Sequence, residues 1–211
     1  MKNIAVIDYG IGNVKSMMNA LIGLNVSTTL TNNKQKILAS DGLILPGVGA
    51  FGKGMENLKK FDLIETLNEY VESGKPLLGI CLGMQMLLEE SEEFQITKGL
   101  GFIKGRVVKM QIGINSSDKL PHVSWNELIE PEVNKWDNTI LKNVSPHSDV
   151  YFVHSYITVP DNSEDILAQS EYGEKKFCSA IHRKNVYGTQ FHPEKSAKVG
   201  QLILNNFISI I

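Results

Sequence analysis

The sequence predicts an α/β fold, a central and mostly parallel sheet with helices on both faces and antiparallel additions in the C-terminal half. Three observations carry this expectation. Strand-like and helix-like runs alternate through the N-terminal half, several of the strand runs are apolar throughout, and from about Gly101 the pattern changes to shorter strands separated by turns. Alternation implies parallel strands joined by helical crossovers, and an unbroken apolar run suits a strand buried on both faces.

In chain order, "NIAVID" at Asn3 to Asp8 predicts the first strand, and Asn13 to Leu24, apolar at helical spacing, the first helix. "STTLT" predicts a second strand, and "GLILPG" a buried third one ended by Pro46 and Gly47. "MENLKKFDLIETLNEYVESG" predicts one amphipathic helix closing at Gly74, "PLLGI" the next strand, and Met84 to Glu90 a helix of strong helix formers. Beyond Gly101, "GFIKGRVVKMQI", "DVYFVHSYITV", "ILAQSEY" and "FCSAIHRKNVYGTQF" read as strands and turns, before a last helix from Gly200 to Ile210. No repeat, low-complexity tract or linker divides the chain, so residues 1–211 are expected to form a single domain.

Composition narrows the function classes. Charged residues make up 21% and the formal net charge is -2, without the basic surplus of a nucleic-acid or anionic-membrane binder, so small, neutral partners are favoured. The opening "MKNIAVIDYG" reaches Asp8 too soon for a signal-peptide core, and no apolar run approaches the roughly 20 residues of a membrane span, which predicts a cytoplasmic protein. Two cysteines without CxxC or HxxxH neighbours predict reduced thiols and no metal site; no cofactor is expected either.

One of these cysteines sits in Gly79-Ile80-Cys81-Leu82-Gly83, where a buried strand meets a helix-like run. A sharp strand-to-helix turn brings the residues two before and two after its apex together, and glycine at both leaves room for that approach. The N–H groups of a following helix favour thiolate over thiol. An inert buried cysteine beside incidental glycines is the competing reading, because free cysteine is among the most buried residue types.

A thiolate nucleophile needs a base, and the base an orienting group. "QFHPEKS" offers His192 and Glu194, separated by Pro193 after a strand-like run; in extended backbone, residues two apart face the same side. Among the other histidines, His147 reads as a loop residue, His182 as a turn residue and His154 as a packed or hydrogen-bonded strand residue, while His122 stays undecided. Cys178, without a glycine bracket, reads as a small core residue. Negative charge building on a carbonyl oxygen needs donors. The Leu82 N–H is one, and "LPGVGAFG", a glycine-rich loop directly after a buried strand, can supply a second; it lacks the Gly-Lys-Ser/Thr ending of a phosphate loop.

Together, "LPGVGAFG", "GICLGMQ" and "QFHPEKS" resemble the three blocks of the class I, triad-type glutamine amidotransferases, whose fold is flavodoxin-like. "DYGIGNVKSMMNAL", "PHVSWNEL" and "YFVHSY" extend the resemblance over essentially the whole chain to the glutaminase subunits of imidazole glycerol phosphate synthases. The resemblance implies hydrolysis of L-glutamine through a Cys81 thioester, with His192 as base then acid and Glu194 holding the imidazole. It implies an oxyanion hole at the backbone of Leu82, Val48 and Gly49, and glutamine binding by Gly47, Gln85, Glu93 and the backbone of His154, Ser155 and Tyr156. The implied partner is a cyclase subunit with a TIM-barrel fold, forming a heterodimer, with Trp125 and Asn126 at interface positions. A partner also follows from chemistry: ammonia released into neutral water becomes ammonium, which has no lone pair for attack.

Ser124 departs from this pattern, standing where the resembled family usually has glycine. With the added "INSSD" segment it also fits a paralogous glutaminase subunit that feeds a nucleotide-sugar amidotransferase for a surface polysaccharide. A regulatory protein keeping the fold without chemistry has no need of all three triad members, and no extended groove signature suggests a peptidase.

Overall fold

The computed structural model describes every residue from Met1 to Ile211. Its parallel core is formed by β1 (Asn3–Ile7), β2 (Ser27–Thr31), β3 (Gly42–Gly47), β4 (Leu77–Cys81) and, from the far end of the chain, β13 (Val186–Thr189), in the order β2-β1-β3-β4-β13. The antiparallel additions expected of the C-terminal half are there: β12 (Lys175–Arg183) pairs antiparallel with β13 and with β11 (Ile166–Tyr172), and β10 (Tyr156–Pro160) bridges β12 to β7 (Ile103–Lys109). A separate two-stranded ribbon pairs β8 (His122–Glu127) with β9 (Asp149–His154).

Successive side chains of the parallel strands point to opposite faces, and each face has its own core. Ile4, Val6, Ile44 and Leu78 pack with Met17 and Leu21 of α1 (Val14–Leu21) and with Ile203, Leu204 and Phe207 of α6 (Ala197–Ile210). Ala5, Ile7, Leu43, Leu45 and Leu77 pack on the other side with α2 (Lys34–Ala39), α3 (Phe51–Lys60) and α4 (Leu63–Glu72). Each large apolar side chain buried this way contributes about 1.5–3 kcal/mol against leaving it in water, which is what holds helices of six to fourteen residues in place.

Several local expectations are corrected. The amphipathic run from Met55 to Gly74 is two helices, because Asp62 adopts a left-handed conformation (φ 53°) that a helix cannot pass through. The helix expected over Met84 to Glu90 is instead the five-residue α5 (Leu82–Met86) followed by β5 (Leu88–Ser91). Leu88 to Ser91 find ladder partners in β7 and in β6 (Thr97–Lys98), and those bonds outweigh a helix preference of a few tenths of a kcal/mol per residue. Asn13 caps the first helix, which stops at Leu21 rather than Leu24, and α2 has no counterpart among the sequence expectations. Trp125 lies on β8, and His182 on β12 rather than in a turn. The run "DVYFVHSYITV" breaks at Ser155 into β9 and β10, which belong to different sheets.

Candidate active site

Cys81 ends β4 and begins α5 with φ 54° and ψ -108°, a conformation that L residues rarely adopt. The surroundings impose it. A Cβ on Gly79 would sit 2.8 Å from the Gly83 and Met84 backbone, and one on Gly83 only 1.8 Å from the Leu45 carbonyl oxygen, so neither position admits a side chain without the turn opening. Such strain persists only where the fold over-determines it, and here it presents the thiol, 6% exposed, to a cavity.

His192 and Glu194 meet as their spacing predicts, although the backbone is not a strand end: Pro193–Lys195 form a turn of 3₁₀-helix. His192 Nδ1 lies 2.8 Å from Glu194 Oε1, and both side chains are buried. The segment is fixed by its backbone, since His192 N–H donates to the Tyr151 carbonyl of β9 and the Ser196 hydroxyl donates to the His192 carbonyl. His192 Nε2 has no hydrogen-bond partner within the chain, and neither has Glu194 Oε2. Burial alone would push the His192 pKa down, but the Cys81 sulfur and the Glu194 carboxylate both favour the cation, and the pKa rises to about 10. An imidazolium beside sulfur stabilises thiolate, and its free Nε2 side is the one a leaving amine can use.

The cavity, about 470 Å³, gathers most of the residues that the sequence singles out. Val48, Gly49, Cys81 and Leu82 form one wall; Gln85 and Glu93 form another; His154, Ser155 and Tyr156 close the third, at the point where the chain switches sheets. The Val48 and Gly49 N–H groups donate to nothing within the chain, and Gly49 has φ 103°. Gly47 stands behind the wall rather than in it, packed where a Cβ would meet the Tyr9 hydroxyl at 2.6 Å. One Glu93 oxygen accepts the Phe51 N–H at 2.6 Å and so caps α3, leaving the other for the cavity. Gln85 Nε2 donates to the Tyr156 carbonyl and to Gln190 Oε1, both at 3.0 Å, so its carbonyl oxygen is the atom left for a ligand.

Trp125 and Asn126 lie away from this cavity. Trp125 is 50% exposed and meets Tyr151 edge-on across the ribbon, whereas the Asn126 amide is engaged with the Glu171 carbonyl at 2.6 Å. Cys178 is buried in the core, its thiol pushed up to about 12 by burial, far from the thiolate range. His147 pairs with Glu127 at the surface and His182 stacks on Tyr187. Gln190 is not among the residues that the sequence singles out, yet its Nε2 points at Cys81 Sγ from 3.7 Å. The signal was available, since Gln190 precedes His192 by the same two-residue spacing that flagged Glu194.

Comparison with known proteins agrees with this geometry. The family model described as glutamine amidotransferase class-I matches residues 5–210. The chain is 43% identical, over 100% of both chains, to the imidazole glycerol phosphate synthase subunit HisH 1 of Legionella pneumophila (strain Lens). It is 42% identical, again over the full length of both, to subunit HisH of Lactococcus lactis subsp. lactis (strain IL1403). Identity to subunit HisH of Bacillus cereus (strain B4264) is 45%, covering 99% of this chain and 95% of that one. In fold it is similar to PurLQS from Thermotoga maritima, with a TM-score of 0.75 at 17% identity over 99% of this chain and 98% of that one. A strained cysteine between two obligatory glycines, a buried histidine–glutamate pair and a family match over residues 5–210 converge: the chain belongs to the class I glutamine amidotransferases.

Proposed function

We propose that this chain is a glutaminase subunit that hydrolyses L-glutamine to glutamate and ammonia and passes the ammonia to a cyclase subunit in histidine biosynthesis. The observation that carries the reading is the placement of Cys81, at a strained apex open to a cavity, with the His192–Glu194 pair buried behind it. In this reading the Cys81 sulfur attacks the carboxamide carbon of glutamine, and the carbonyl oxygen takes up negative charge. His192 gives a proton to the departing nitrogen as the tetrahedral adduct collapses to a thioester and ammonia. The imidazole then removes a proton from water, which attacks the thioester, and returns it to the sulfur as glutamate leaves. Glu194 stabilises the cation between these steps and holds the ring through Nδ1, which leaves Nε2 for the proton transfers.

The oxyanion is assigned to the Leu82 N–H and to the loop at Val48 and Gly49. Gln85 Oε1 and the free oxygen of Glu93 are assigned to the amino-acid end of the substrate, with the backbone of His154, Ser155 and Tyr156 completing the pocket. The α-ammonium of glutamine suits these groups, since an amide oxygen and a carboxylate oxygen are both acceptors. No helix is long and apolar enough to cross a membrane. A cytoplasmic setting and a TIM-barrel partner that closes the cavity and contacts the edge around Trp125 and Asn126 belong to the same proposal.

Ser124, the residue that raised a nucleotide-sugar paralogue, turns inward and bonds His122 at 2.9 Å, so the departure does not alter the exposed edge. The curated relatives named above, similar along the whole chain, carry imidazole glycerol phosphate synthase names. The test is ammonia release from glutamine by the purified chain, alone and with a cyclase subunit and its ribulosyl aminoimidazole carboxamide substrate. Glutamine-dependent formation of the imidazole product is expected. No glutamate release under either condition would overturn the proposal.

A further inference from the structure

Four buried side chains around the cavity lie on one hydrogen-bond path, and a single backbone carbonyl sets its direction. The Tyr156 carbonyl can only accept, and it is met at 3.0 Å by both Gln85 Nε2 and His154 Nδ1, so each of these nitrogens presents a hydrogen. Gln85 gives its second hydrogen to Gln190 Oε1, which leaves Gln190 Nε2 as the atom facing Cys81 Sγ. On the other arm, burial drives the pKa of His154 down to about 3 and that of His122 down to about 4, so both rings are neutral near neutral pH. A neutral His154 protonated at Nδ1 has a bare Nε2, 3.1 Å from His122 Nδ1, which must therefore carry the hydrogen. The bare His122 Nε2 then accepts from the Ser124 hydroxyl at 2.9 Å.

We propose that Gln190 is a positioning residue for both the nucleophile and the substrate-binding amide, held in register through the Tyr156 carbonyl by the His154–His122 pair. The part concerning substrate rests on the glutaminase reading above; the part concerning sulfur does not. Gln190 is fully buried and its own N–H is tied to the Ser179 carbonyl at 2.9 Å, so the carboxamide has little freedom to turn. An N–H aimed at sulfur stabilises the thiolate more than the thiol. The thiol has a competing partner, the Val153 carbonyl at 3.8 Å, which can only accept its hydrogen. His122 is clamped between Phe152 and Tyr172, with ring centroids 5.0 and 3.9 Å away, so the far arm is rigid as well. The path ends at Ser124, next to the exposed Trp125, and so joins the edge expected to meet a partner to the sulfur.

The titratable groups that feel the sulfur's charge are His192 and Tyr9, and neither is altered in the variants that test this. Alkylation of Cys81 by iodoacetamide, followed on the Cys81 peptide from the whole chain, gives a pH profile. Gln190→Met removes the donor at similar length, and Gln190→Glu puts a carboxylate where the thiolate forms. Both profiles are expected to move to higher pH, with alkylation near neutral pH slowed roughly tenfold in Gln190→Glu by like-charge repulsion. The KM for glutamine is expected to rise in both, and in His122→Phe to rise more than kcat falls, because His154 loses its partner and the Tyr156 carbonyl it shares with Gln85 is less firmly fixed. Wild-type profiles in both folded variants overturn the proposal. If the variants do not fold, ¹⁵N-histidine spectra of the unaltered chain decide: Nδ1–H tautomers at His122 and His154 support the path, and an Nε2–H tautomer at either one overturns it. Neither the alkylation profile nor the tautomer spectra need turnover, so absence of glutamine hydrolysis in the unaltered chain would remove the proposed function and the part of this inference that concerns substrate, without touching the part that concerns sulfur.

Discussion

Glu194 Oε1 lies 2.8 Å from His192 Nδ1, with only 2% and 3% of the His192 and Glu194 side chains exposed, and the second carboxylate oxygen has no other partner. The charge is therefore directed at one imidazole. Glu194→Gln keeps the shape and removes the charge, and by analogy with triads whose acid is replaced, kcat is expected to fall by about 10⁴ with little change in KM. Steady-state glutaminase kinetics in the presence of the partner measure this; turnover equal to the unaltered chain would show Glu194 to be structural.

Cys81→Ala is expected to abolish product formation from glutamine while leaving formation from added ammonium salts, because acceptor chemistry is assigned to the other subunit. Parallel assays with the two nitrogen sources check it. Loss of both activities would sink this division of labour.

The elbow sets a prediction about stability. Gly83→Ala would place a methyl 1.8 Å from the Leu45 carbonyl oxygen, a backbone atom that cannot swing aside, so a loss of at least about 3 kcal/mol is expected in urea or thermal unfolding. Gly52→Ala meets nothing closer than 3.7 Å and serves as the control. Equal stability of the two variants would mean that the turn relaxes freely.

Acid should weaken the fold through His122. Its pKa is about 4 when folded and near 6.5 when unfolded, so between these values the unfolded chain binds a proton that the folded chain does not, and stability falls as pH falls. His122→Phe removes that difference. Its unfolding free energy is expected to lose slope against pH by up to about 1.4 kcal/mol per unit in this window. Urea titrations at several pH values test it, and identical slopes would mean that the ring is protonated in the folded protein.

The isolated chain is expected to be a poor glutaminase. The Val48 and Gly49 N–H groups are unengaged, and Gly49 at φ 103° lets the intervening peptide turn at little cost. A resting loop that does not aim a donor at the substrate oxygen leaves out one contact worth roughly 10²–10³ in rate. A partner with its acceptor bound supplies that factor if it has higher affinity for the competent loop. Full activity without the partner would show the hole to be preformed.

The parts legible in the sequence were those whose geometry closes over a few residues. Glycine at 79 is required by the Gly83 and Met84 backbone only four and five residues on, a closure within one turn, whereas the Leu45 carbonyl that excludes a side chain at Gly83 lies 38 residues away. His192 and Glu194 meet across one proline, and unbroken apolar strand runs alternating with helix-like runs specify the parallel sheet because such strands are buried on both faces. The tertiary structure alone decided what depends on distant partners. Leu88 to Ser91 became a strand because β7 and β6 were there to receive their N–H groups, and Asp62 broke one amphipathic run into two helices that keep the same buried face. Glu93, a substrate ligand by resemblance, also caps a helix 42 residues away; Gln190 reaches the sulfur from 109 residues away, and two histidines 32 residues apart form one buried pair. Local preferences amount to tenths of a kcal/mol per residue, whereas leaving a buried donor or acceptor unpaired costs about 1–3 kcal/mol, so long-range satisfaction of polar groups overrides them.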